Sequence, residues 1–395
     1  MTNFYERYIA QLQKRYPETA RILNLKERVS PTLICPYKIE LPRSMADQAA
    51  RIVRAFFKLR SIRERDRELS ERHPRVVDPG NTSVLMSYDF HVDESSNLRL
   101  IEINTNASAS LLSDLLYDVH SLKNPFCEKF EEDIISCFKR EAELALPDRE
   151  VRFAVITDEN PQEQRMFVEF LMYEELFRRS GWAVSIADTR EFSFTDEFGL
   201  RLGDKTVDLV YNRHTDFYFE AEASRALHSA MMARVACITP HPHEYRLLAD
   251  KERLLELSKD GAIDALPLSE EERDVLRCTL IRTVDVRDFP SADELWKERK
   301  HWFFKTKQSF GGKKAYRGAN MSRGAFERVV SGPYLAQEYV PASTIRPTGS
   351  DQEFKYDLRF FVYNDRIQLA CARLYQGQLT NAQTPGGGLA AIEWV

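Results

Sequence analysis

Acidic and amide side chains alternate in a short stretch of the sequence, "RLIEINTN" at positions 99–106. In a β-strand, residues two apart point to the same face, so Glu102 and Asn104 lie side by side. Asp89 lies in the preceding stretch, "SVLMSYDFHV", which the polar turn "DESSN" joins to the first as a hairpin. Carboxylate and amide oxygens on one face suit Mg²⁺ held together with nucleotide phosphates. A solvent-exposed hairpin face with ordinary polar residues is the alternative interpretation.

Lysines and a glycine pair form a second set of residues suited to chemistry. The stretch "WFFKTKQSFGGKKAYRG" runs from a predicted strand that contains Lys305 into a turn at Gly311 and Gly312. Backbone N–H groups of such a turn, with a lysine beside them, can cover phosphates. The G-x-x-x-x-G-K-[ST] signature of a P-loop is absent, so a surface hairpin tip is the alternative. Lys251, near the start of a predicted helix, is by itself an ordinary surface lysine.

Further polar groups follow on predicted strands later in the chain. The strand "LAQEYVPA" places Gln337 to Val340 where their backbone groups can meet an adenine edge, as could almost any strand end. Asp357 and Arg359 share one strand face, and Arg373 lies on the following strand. An arginine there can stabilise a transferring phosphoryl group, and ordinary Arg–Asp ion pairing is the alternative.

The elements that must position these residues fall into three predicted regions. Residues 1–150 combine helices, whose apolar residues recur at i, i+3 and i+4, with the acid-bearing hairpin. Residues 151–245 predict a small doubly wound α/β lobe with parallel strands, in which "LRLG" and "VDLVYNR" complete the alternation. Residues 246–395 begin with the helix "EYRLLADKERLLELS" and continue as strands with a glycine-rich loop.

The composition excludes several classes of protein. With 43% hydrophobic residues the 395-residue chain can bury a large core, and a net charge of −5 provides no basic field for nucleic acid. No stretch approaches the roughly 20 apolar residues of a membrane span, and the N-terminus lacks a signal-peptide core. The 6 cysteines include no C-x-x-C pair, which fits a reducing compartment. We therefore predict a soluble, cytoplasmic protein that is large enough to be an enzyme.

Two further patterns are interpreted as structural. The Arg- and Glu-rich helix over residues 45–73 is predicted to expose a solvated face with i, i+4 ion pairs. The histidines of "HPHE" at 241–244 can look like a zinc site, but no further ligands follow at suitable spacing. A loop is therefore the preferred interpretation of that segment.

The order of these motifs resembles the ATP-grasp superfamily. The run "EINTNASAS" is similar to the Glu-Ile-Asn-Thr and Ser-Ala-Ser sequences of eukaryotic glutathione synthetase, in whose circularly permuted branch the acid-x-Asn strand comes first. "VYNRHTDFYFE" and "TPGGGLAAI" are similar to that family's arginine-bearing strand and its glycine-alanine substrate loop. The resemblance implies an α/β (α+β) fold, namely a circularly permuted ATP-grasp with an inserted small α/β substrate lobe.

The resemblance also implies roles for individual residues. The implied Mg²⁺ ligands are Glu102 and Asn104, with Asp89 or Asp357 as the further ligand. The implied contacts to ATP are lysines, a glycine turn and a strand end: Lys251, Lys305, Gly311, Gly312, Gln337, Glu338, Tyr339 and Val340. The implied catalytic groups are Arg359 and Arg373. The implied substrate contacts are Arg213, Asn381, Gly386, Gly387 and Gly388.

The chain departs from the glutathione synthetases at one position. Those enzymes keep a glutamate metal ligand four residues after the strand-end lysine, where this chain has Ser309. The resemblance therefore implies an ATP- and Mg²⁺-dependent carboxylate–amine ligase with a different substrate, which forms an amide through an acyl phosphate. Its partners would be small-molecule acids and amines, such as amino acids or peptides. A non-catalytic ATP-binding regulatory or scaffold protein is the alternative, and a homodimer, common among glutathione synthetase-like proteins, stays open.

Overall fold

The structure, a computed structural model of the protein, describes residues 2–307, 315–378, 380 and 384–395. Over these ranges, helices and strands alternate irregularly, and none of the helices is long and apolar enough to cross a membrane. Helices and strands are numbered below in chain order.

The helices are α1 (Thr2–Arg15), α2 (Pro17–Ile22), α3 (Leu25–Arg28), α4 (Arg43–Arg63), α5 (Arg67–Arg72), α6 (Ser110–Val119), α7 (Phe130–Ala145), α8 (Phe167–Arg179), α9 (Arg225–Ala233), α10 (Pro242–Glu244), α11 (Glu252–Leu257), α12 (Glu270–Thr279), α13 (Ala292–Glu298) and α14 (Arg323–Ser331). The strands are β1 (Ile39–Leu41), β2 (Met86–Val92), β3 (Leu98–Asn104), β4 (Phe153–Asp158), β5 (Ala183–Asp188), β6 (Phe192–Thr195), β7 (Gly199–Leu202), β8 (Lys205–Thr206), β9 (Leu209–Asn212), β10 (Cys237–Thr239), β11 (Thr283–Asp285), β12 (Trp302–Thr306), β13 (Tyr316–Arg317), β14 (Tyr334–Glu338), β15 (Thr344–Ile345), β16 (Phe354–Tyr363), β17 (Arg366–Tyr375), β18 (Gly388–Ala390) and β19 (Ile392–Trp394).

The acid-bearing hairpin forms one edge of an antiparallel sheet whose strand order is β18-β17-β16-β2-β3, with β15 pairing β16. The two predicted hairpins, β2–β3 and β16–β17, are confirmed. Alternation along β16 separates two environments, because successive side chains point to opposite faces. Leu358, Phe360 and Val362 pack in the same apolar cluster as helix α4. The opposite face carries Asp357 and Arg359, so one end of this face is charged.

A parallel sheet of order β10-β9-β4-β5 lies within residues 153–239. Strand β4, "FAVITD", is buried along its whole length, as expected for a strand covered on both faces. Helix α8 connects β4 to the parallel β5, which confirms the predicted crossover. The prediction for "LRLG" is wrong: β7 pairs with β6 and β8 in a separate antiparallel sheet. Short connections with Gly199 and Gly203 in left-handed conformations favour this local pairing over a crossover.

A third sheet, of order β11-β14-β12-β13, packs a small apolar cluster of its own around Trp302, Phe304 and Phe326. Strands β12 and β14 are antiparallel, and their register places Phe303 opposite Gln337 and Lys305 opposite Leu335. Because Lys305 is two residues beyond Phe303, its side chain shares the face of Gln337. This sheet therefore presents a lysine and an amide to the same space.

The solvated-face interpretation of the Arg-rich helix is wrong at Arg60 and Arg63. Both side chains are buried: Arg60 donates to Glu244 at 2.7 Å, and Arg63 donates to the carbonyl of Leu247 at 2.8 Å. Both acceptors lie far along the chain: Glu244 ends α10, and Leu247 lies within the π-helical turn over Tyr245–Ala249. The predicted helix also ends at Arg63 and resumes only as α5.

The segment predicted as one helix, "EYRLLADKERLLELS", is interrupted at Asp250. The π-helical turn stops there, and Asp250 adopts an extended conformation before α11 begins. The Asp250 carboxylate accepts from the backbone N–H of Glu252 at 2.9 Å and from the Tyr218 hydroxyl. The interruption places Lys251 at the N-cap of α11, at the start of a helix instead of within one.

Candidate active site

A cavity of about 540 Å³ lies where the three sheets approach one another. The predicted site residues that border it are Glu102, Asn104, Arg213, Lys251, Lys305, Gln337, Glu338, Tyr339, Val340, Asp357, Arg359, Arg373 and Gly388. These residues come from distant parts of the chain, so the fold brings together groups that the sequence only orders. Asp89, Gly386 and Gly387 do not line the cavity. Gly311, Gly312, Asn381 and Ser309 lie outside the described residues.

The charged wall of the cavity is a row of side chains across the antiparallel sheet. Asp89 lies directly opposite Glu102 on one neighbouring strand and opposite Arg359 on the other. Asp357 lies opposite Arg373 on β17. Directly opposite residues project from the same face of a sheet, so the register alone aligns these groups.

Asp89 is the buried centre of this row. It is 1% exposed, and Arg359 clamps both of its oxygens, with Nε and Nη2 at 2.8 and 2.7 Å. Arg373 adds a contact at 3.0 Å. Burial alone would raise the pKa of Asp89, but the two guanidinium groups outweigh it and lower the pKa to about 2. Asp89 is here the counter-ion of two arginines, and its predicted role as a metal ligand stays a prediction.

Asp357 is also buried, yet it faces the cavity. It accepts from Nε of Arg373 at 2.5 Å and from the Thr380 hydroxyl. Arg373 therefore bridges Asp357 and Asp89, and Arg359 reaches onward to the carbonyl of Ser108 at 3.4 Å. The two arginines are held in place by acids that fix their guanidinium planes beside the cavity.

Glu102 and Asn104 form the oxygen-donor edge of the cavity. Glu102 is partly exposed, and its carboxylate lies 4.0 Å from the ammonium of Lys251. The Nδ2 of Asn104 donates to Ser87 and to Asp89, each at 3.4 Å, which leaves the amide oxygen as the atom available to a ligand. A carboxylate and an amide oxygen on one wall, with Asp357 on the same wall, fit the all-oxygen coordination that Mg²⁺ prefers.

Lys305 is positioned by an irregularity in the hairpin. The β2–β3 register shifts after Asp89, so Ile101 is left without a partner residue and forms a β-bulge. The carbonyl of Ile101 accepts from the Lys305 ammonium at 3.2 Å, and Gln337 accepts from the same ammonium at 2.9 Å. Burial lowers the pKa of Lys305 to about 8, an effect that nearby Glu102 partly offsets.

The segment from Gln337 to Val340 borders the cavity beside Lys305. Its strand hydrogen bonds are used internally: the N–H of Tyr339 donates to His301 at 2.8 Å. The carbonyl of Val340 accepts from Nδ1 of His91 at 2.9 Å. His91 lies on the same strand as Asp89, two residues on, and ties this segment to the acidic wall. The sequence contains no signal that singles out His91.

Arg213 forms the opposite wall, at the carboxyl end of β9. Its Nη1 donates to the carbonyl of Ala107 and, at 3.0 Å, to the Tyr211 hydroxyl. The guanidinium also lies over the rings of Tyr211 and Phe170, at 5.4 and 5.8 Å from their centroids. Its Nε is buried and has no hydrogen-bond partner within the described part of the chain. The predicted arginine therefore lies in the cavity, held by neutral groups.

Asp158 is a cavity residue that sequence reasoning missed. It is the last residue of β4, which pairs with β9, the strand that leads into Arg213. Burial raises the pKa of Asp158 to about 6, and the charge of Arg213 partly counteracts this shift. An available signal was its place at the carboxyl end of an apolar, parallel strand, the edge where open α/β sheets bind ligands.

The "EINTNASAS" loop joins the two walls. Asn106 donates to the carbonyls of Asn212 and His214, at 3.3 and 2.7 Å, on the parallel-sheet side. On the other side, the Ser108 carbonyl accepts from Arg359. The loop ends at α6, whose N-terminal N–H groups at Ala109 and Leu111 donate to the buried Glu169 carboxylate at 2.7 and 3.1 Å.

The C-terminal glycines are required by close backbone packing. A Cβ on Gly387 would approach the Leu374 carbonyl oxygen to 2.5 Å, and one on Gly388 would approach the Leu33 carbonyl to 2.6 Å. The Gly386 carbonyl accepts from the Cys35 thiol at 3.3 Å. Only Gly388 borders the cavity, so the predicted closure over substrate stays a prediction.

Comparisons by sequence find no relatives, since no family model and no curated protein matches the chain. Comparison by structure does find similar proteins. A glutathione synthetase-like effector from Globodera pallida gives a TM-score of 0.58 at 14% identity, covering 92% of this chain and 90% of that one. A protein assigned as a gamma-glutamylcysteine synthetase from Methylobacillus flagellatus gives 0.50 at 11% identity, covering 88% and 87%.

The ATP-grasp ligase PsnB, solved with a minimal precursor, Mg and ADP, gives a TM-score of 0.31 at 15% identity over 60% of this chain and 88% of that one, which is too low to carry an argument. At such identities a structural likeness shows the fold alone. The chain therefore has a mixed α/β fold similar to that of the glutathione synthetase-like effector.

Proposed function

We propose that the protein is an ATP- and Mg²⁺-dependent carboxylate–amine ligase. One observation carries this proposal: oxygen donors, two lysines and two arginines converge on one cavity although they come from distant parts of the chain. An enzyme that transfers a phosphoryl group needs these groups, because its main task is to position and neutralise phosphates. A scaffold that only binds nucleotide has no need of the full set.

The nucleotide would lie between the antiparallel sheet and the third sheet. Gln337 to Val340 would hold the adenine and ribose, while Lys251 and Lys305 contact the phosphates. Glu102 and Asn104, with Asp357, would hold Mg²⁺, which neutralises phosphate charge when bound. Asp89 would then keep Arg359 and Arg373 in place.

The reaction would proceed in two steps, a phosphoryl transfer and then amide formation. A substrate carboxylate attacks the terminal phosphoryl group of ATP, which gives an acyl phosphate and ADP. The guanidinium groups of Arg359 and Arg373 stabilise the charge that develops on the transferring group. An amine then attacks the acyl carbon, and phosphate leaves as the amide forms and the amine loses a proton.

Arg213 and Asp158 would face the acid and amine substrates. The direct hydrogen bonds of Arg213 go to neutral groups, while Glu169 and Asp158 act on it from further away, so a substrate carboxylate could still pair with its guanidinium. Asp158, with a pKa near 6, is largely ionised at neutral pH. Both are compatible with an amino acid or a peptide-like substrate, in agreement with the substrate class that the sequence suggests.

The order of elements supports a circularly permuted arrangement. The proposed metal strand, β3, precedes the lysine strand, β12, and the parallel sheet lies between them in sequence. We assign residues 1–150 to the helices and metal hairpin, 151–245 to the substrate lobe, and 246–395 to the lid and the remaining core. These boundaries belong to the proposal.

Turnover tests the proposal. Purified protein is incubated with Mg²⁺, ATP and pools of amino acids, dipeptides and polyamines, and ADP release is measured. Hydroxylamine is added in parallel, because it traps an acyl phosphate as a hydroxamate. We expect pool-dependent ADP release and hydroxamate formation, both lost in Lys305→Ala and Glu102→Ala. ATP binding without ADP release in any pool would support the regulatory or scaffold alternative instead.

A further inference from the structure

A second cluster of ligand-type side chains lies outside the cavity, where the end of helix α4 meets short helix α10. Glu64, Asp78 and His243 each offer one ligand atom, and these atoms lie within 4.8 Å of one another. None of the three borders the cavity. The proposed ligase chemistry therefore does not account for their convergence.

His243 provides the observation that points to a ligand. It is 2% exposed, and among the residues that the structure describes its Nδ1 has no hydrogen-bond partner. The nearest carboxylate atom is Oδ1 of Asp78, at 3.9 Å. A buried polar nitrogen without a partner destabilises the folded state, so the chain keeps this arrangement at a cost in stability.

The spacing suits a small divalent cation. Zinc lies about 2.0–2.2 Å from imidazole and carboxylate ligands, so two tetrahedral ligands lie about 3.4 Å apart. The His243–Asp78 separation of 3.9 Å is close to this value. The side chains of Asp78 and Glu64 are 48% and 35% exposed, so both can adjust towards an ion and a water can complete the set.

The charges around the cluster favour a cation that bonds strongly to imidazole. Arg60 contacts Glu64 at 3.3 Å, although its main partner is the buried Glu244 at 2.7 Å. Arg246 and His241 also lie close enough to influence His243. These neighbours weaken the purely electrostatic attraction that Mg²⁺ or Ca²⁺ depends on. Late first-row ions such as Zn²⁺ form stronger bonds to an imidazole nitrogen, so their binding depends less on electrostatic attraction alone.

We propose that Glu64, Asp78 and His243 form a binding site for a late first-row divalent cation, with Zn²⁺ as the best fit. The ion would join the C-terminal end of α4, the loop before β2 and helix α10, and α10 leads directly into the π-helical turn before Lys251. In this site, the ligands that accompany His243 of the "HPHE" segment come from residues far away in the sequence.

Equilibrium dialysis of the full-length protein against Zn²⁺ tests the proposal, with excess Mg²⁺ present to occupy the oxygen-donor site of the cavity. Metal content is measured by mass spectrometry, and Co²⁺ replaces Zn²⁺ as a visible-absorbing probe of the ligand geometry. We expect one Zn²⁺ per chain in the wild type. Glu64→Gln and Asp78→Asn, both on exposed side chains, should each lower the affinity by about tenfold or more.

Two control variants make the result specific. Glu222→Gln, on an exposed helix-end ion pair, and Glu102→Gln, in the cavity, should retain the same zinc content as the wild type. His243→Ala should lose zinc, and circular dichroism checks that this buried substitution folds. The proposal is overturned if no zinc remains after dialysis. It is also overturned if the Glu64 and Asp78 variants bind zinc as tightly as the wild type, since the ion would then have other ligands.

Discussion

The two walls of the cavity handle charge in opposite ways. On the antiparallel sheet, two arginines and two buried acids neutralise one another: Arg359, Arg373, Asp89 and Asp357. On the parallel-sheet wall, Arg213 is held by a carbonyl, a hydroxyl and two aromatic rings. The antiparallel-sheet wall, called the first wall below, is compensated by direct ion pairs. On the parallel-sheet wall, the second wall, Arg213 makes no direct ion pair among the described residues, and the acids Glu169 and Asp158 act on it from further away.

This difference assigns different tasks to the two walls. Internally paired charges fix geometry, because each guanidinium is held by acceptors on neighbouring strands. They also make the wall sensitive to substitution, since removing one partner leaves a buried charge without compensation. An arginine held by neutral groups contributes less to the stability of the fold and more to recognition. Substitutions on the first wall should therefore unfold the protein before they change specificity, and the reverse should hold on the second wall.

The largest expected effect is the loss of stability in Asp89→Asn. The substitution preserves shape but removes the acid that Arg359 pairs with and one of the two acids that Arg373 contacts, so the free energy of unfolding should fall by roughly 3–5 kcal/mol. Urea denaturation followed by circular dichroism measures the change. Glu222→Gln, in an exposed ion pair, is the control and should unfold at the wild-type midpoint. A wild-type midpoint for Asp89→Asn would show that the first wall does not depend on internal pairing.

Replacing Lys305 should have the next largest effect, on activity. Lys305→Met removes a cation beside the proposed phosphates, and we expect ATP-dependent turnover to fall by about 10²- to 10³-fold. The stability of the fold should change little, because its ammonium donates to a neutral carbonyl and a neutral amide. Steady-state ADP release, paired with urea denaturation, separates the two effects. Turnover near the wild-type rate would remove Lys305 from the nucleotide site.

Arg213→Lys sharpens the contrast from the second wall. Lysine keeps the charge but loses the contact of the guanidinium with the Tyr211 and Phe170 rings and its hydrogen-bond geometry, so KM for the acid substrate should rise by about tenfold. Affinity for Mg²⁺ and ATP should stay at the wild-type value, because Arg213 lies on the other wall. A matching loss of nucleotide affinity would show that the walls do not act separately.

The smallest predicted effect is a pH dependence of nucleotide binding. Burial lowers the pKa of Lys305 to about 8, so the ammonium is charged below this pH and its attraction for phosphate is fully present there. As the pH rises through 8, binding must take up a proton, and ATP affinity should fall by up to about tenfold per pH unit. Lys305→Arg, which stays charged, should show a flat profile over the same range. A wild-type profile that is equally flat would contradict the predicted titration.

Local patterns predict much of this fold. The alternation in β2 and β3 gives the hairpin, and its register brings Asp89 opposite Glu102 as expected. The apolar strands and intervening helix of residues 153–188 give parallel pairing for the same reason. In each case the sequence pattern and the strands that pair lie within a few dozen residues, so hydrophobic periodicity is sufficient to predict the pairing.

The sequence does not reveal which residues far apart along the chain contact one another. Arg359 and Asp89 are separated by 270 positions, and nothing near either residue indicates that they pair. Arg60 and Arg63 look like a solvated helix face until the π-helical turn supplies acceptors for them. The β-bulge at Ile101 that positions Lys305 depends on a register shift, which composition does not encode.

The most direct test of the two-wall account is a calorimetric titration of the wild type and Glu102→Gln with ATP, with and without Mg²⁺. The account predicts one ATP per chain, bound tightly only with Mg²⁺, and a loss of that Mg²⁺ dependence in the variant. Equal binding with and without Mg²⁺ in the wild type, or no binding at all, would contradict the assignment of the first wall as the nucleotide site.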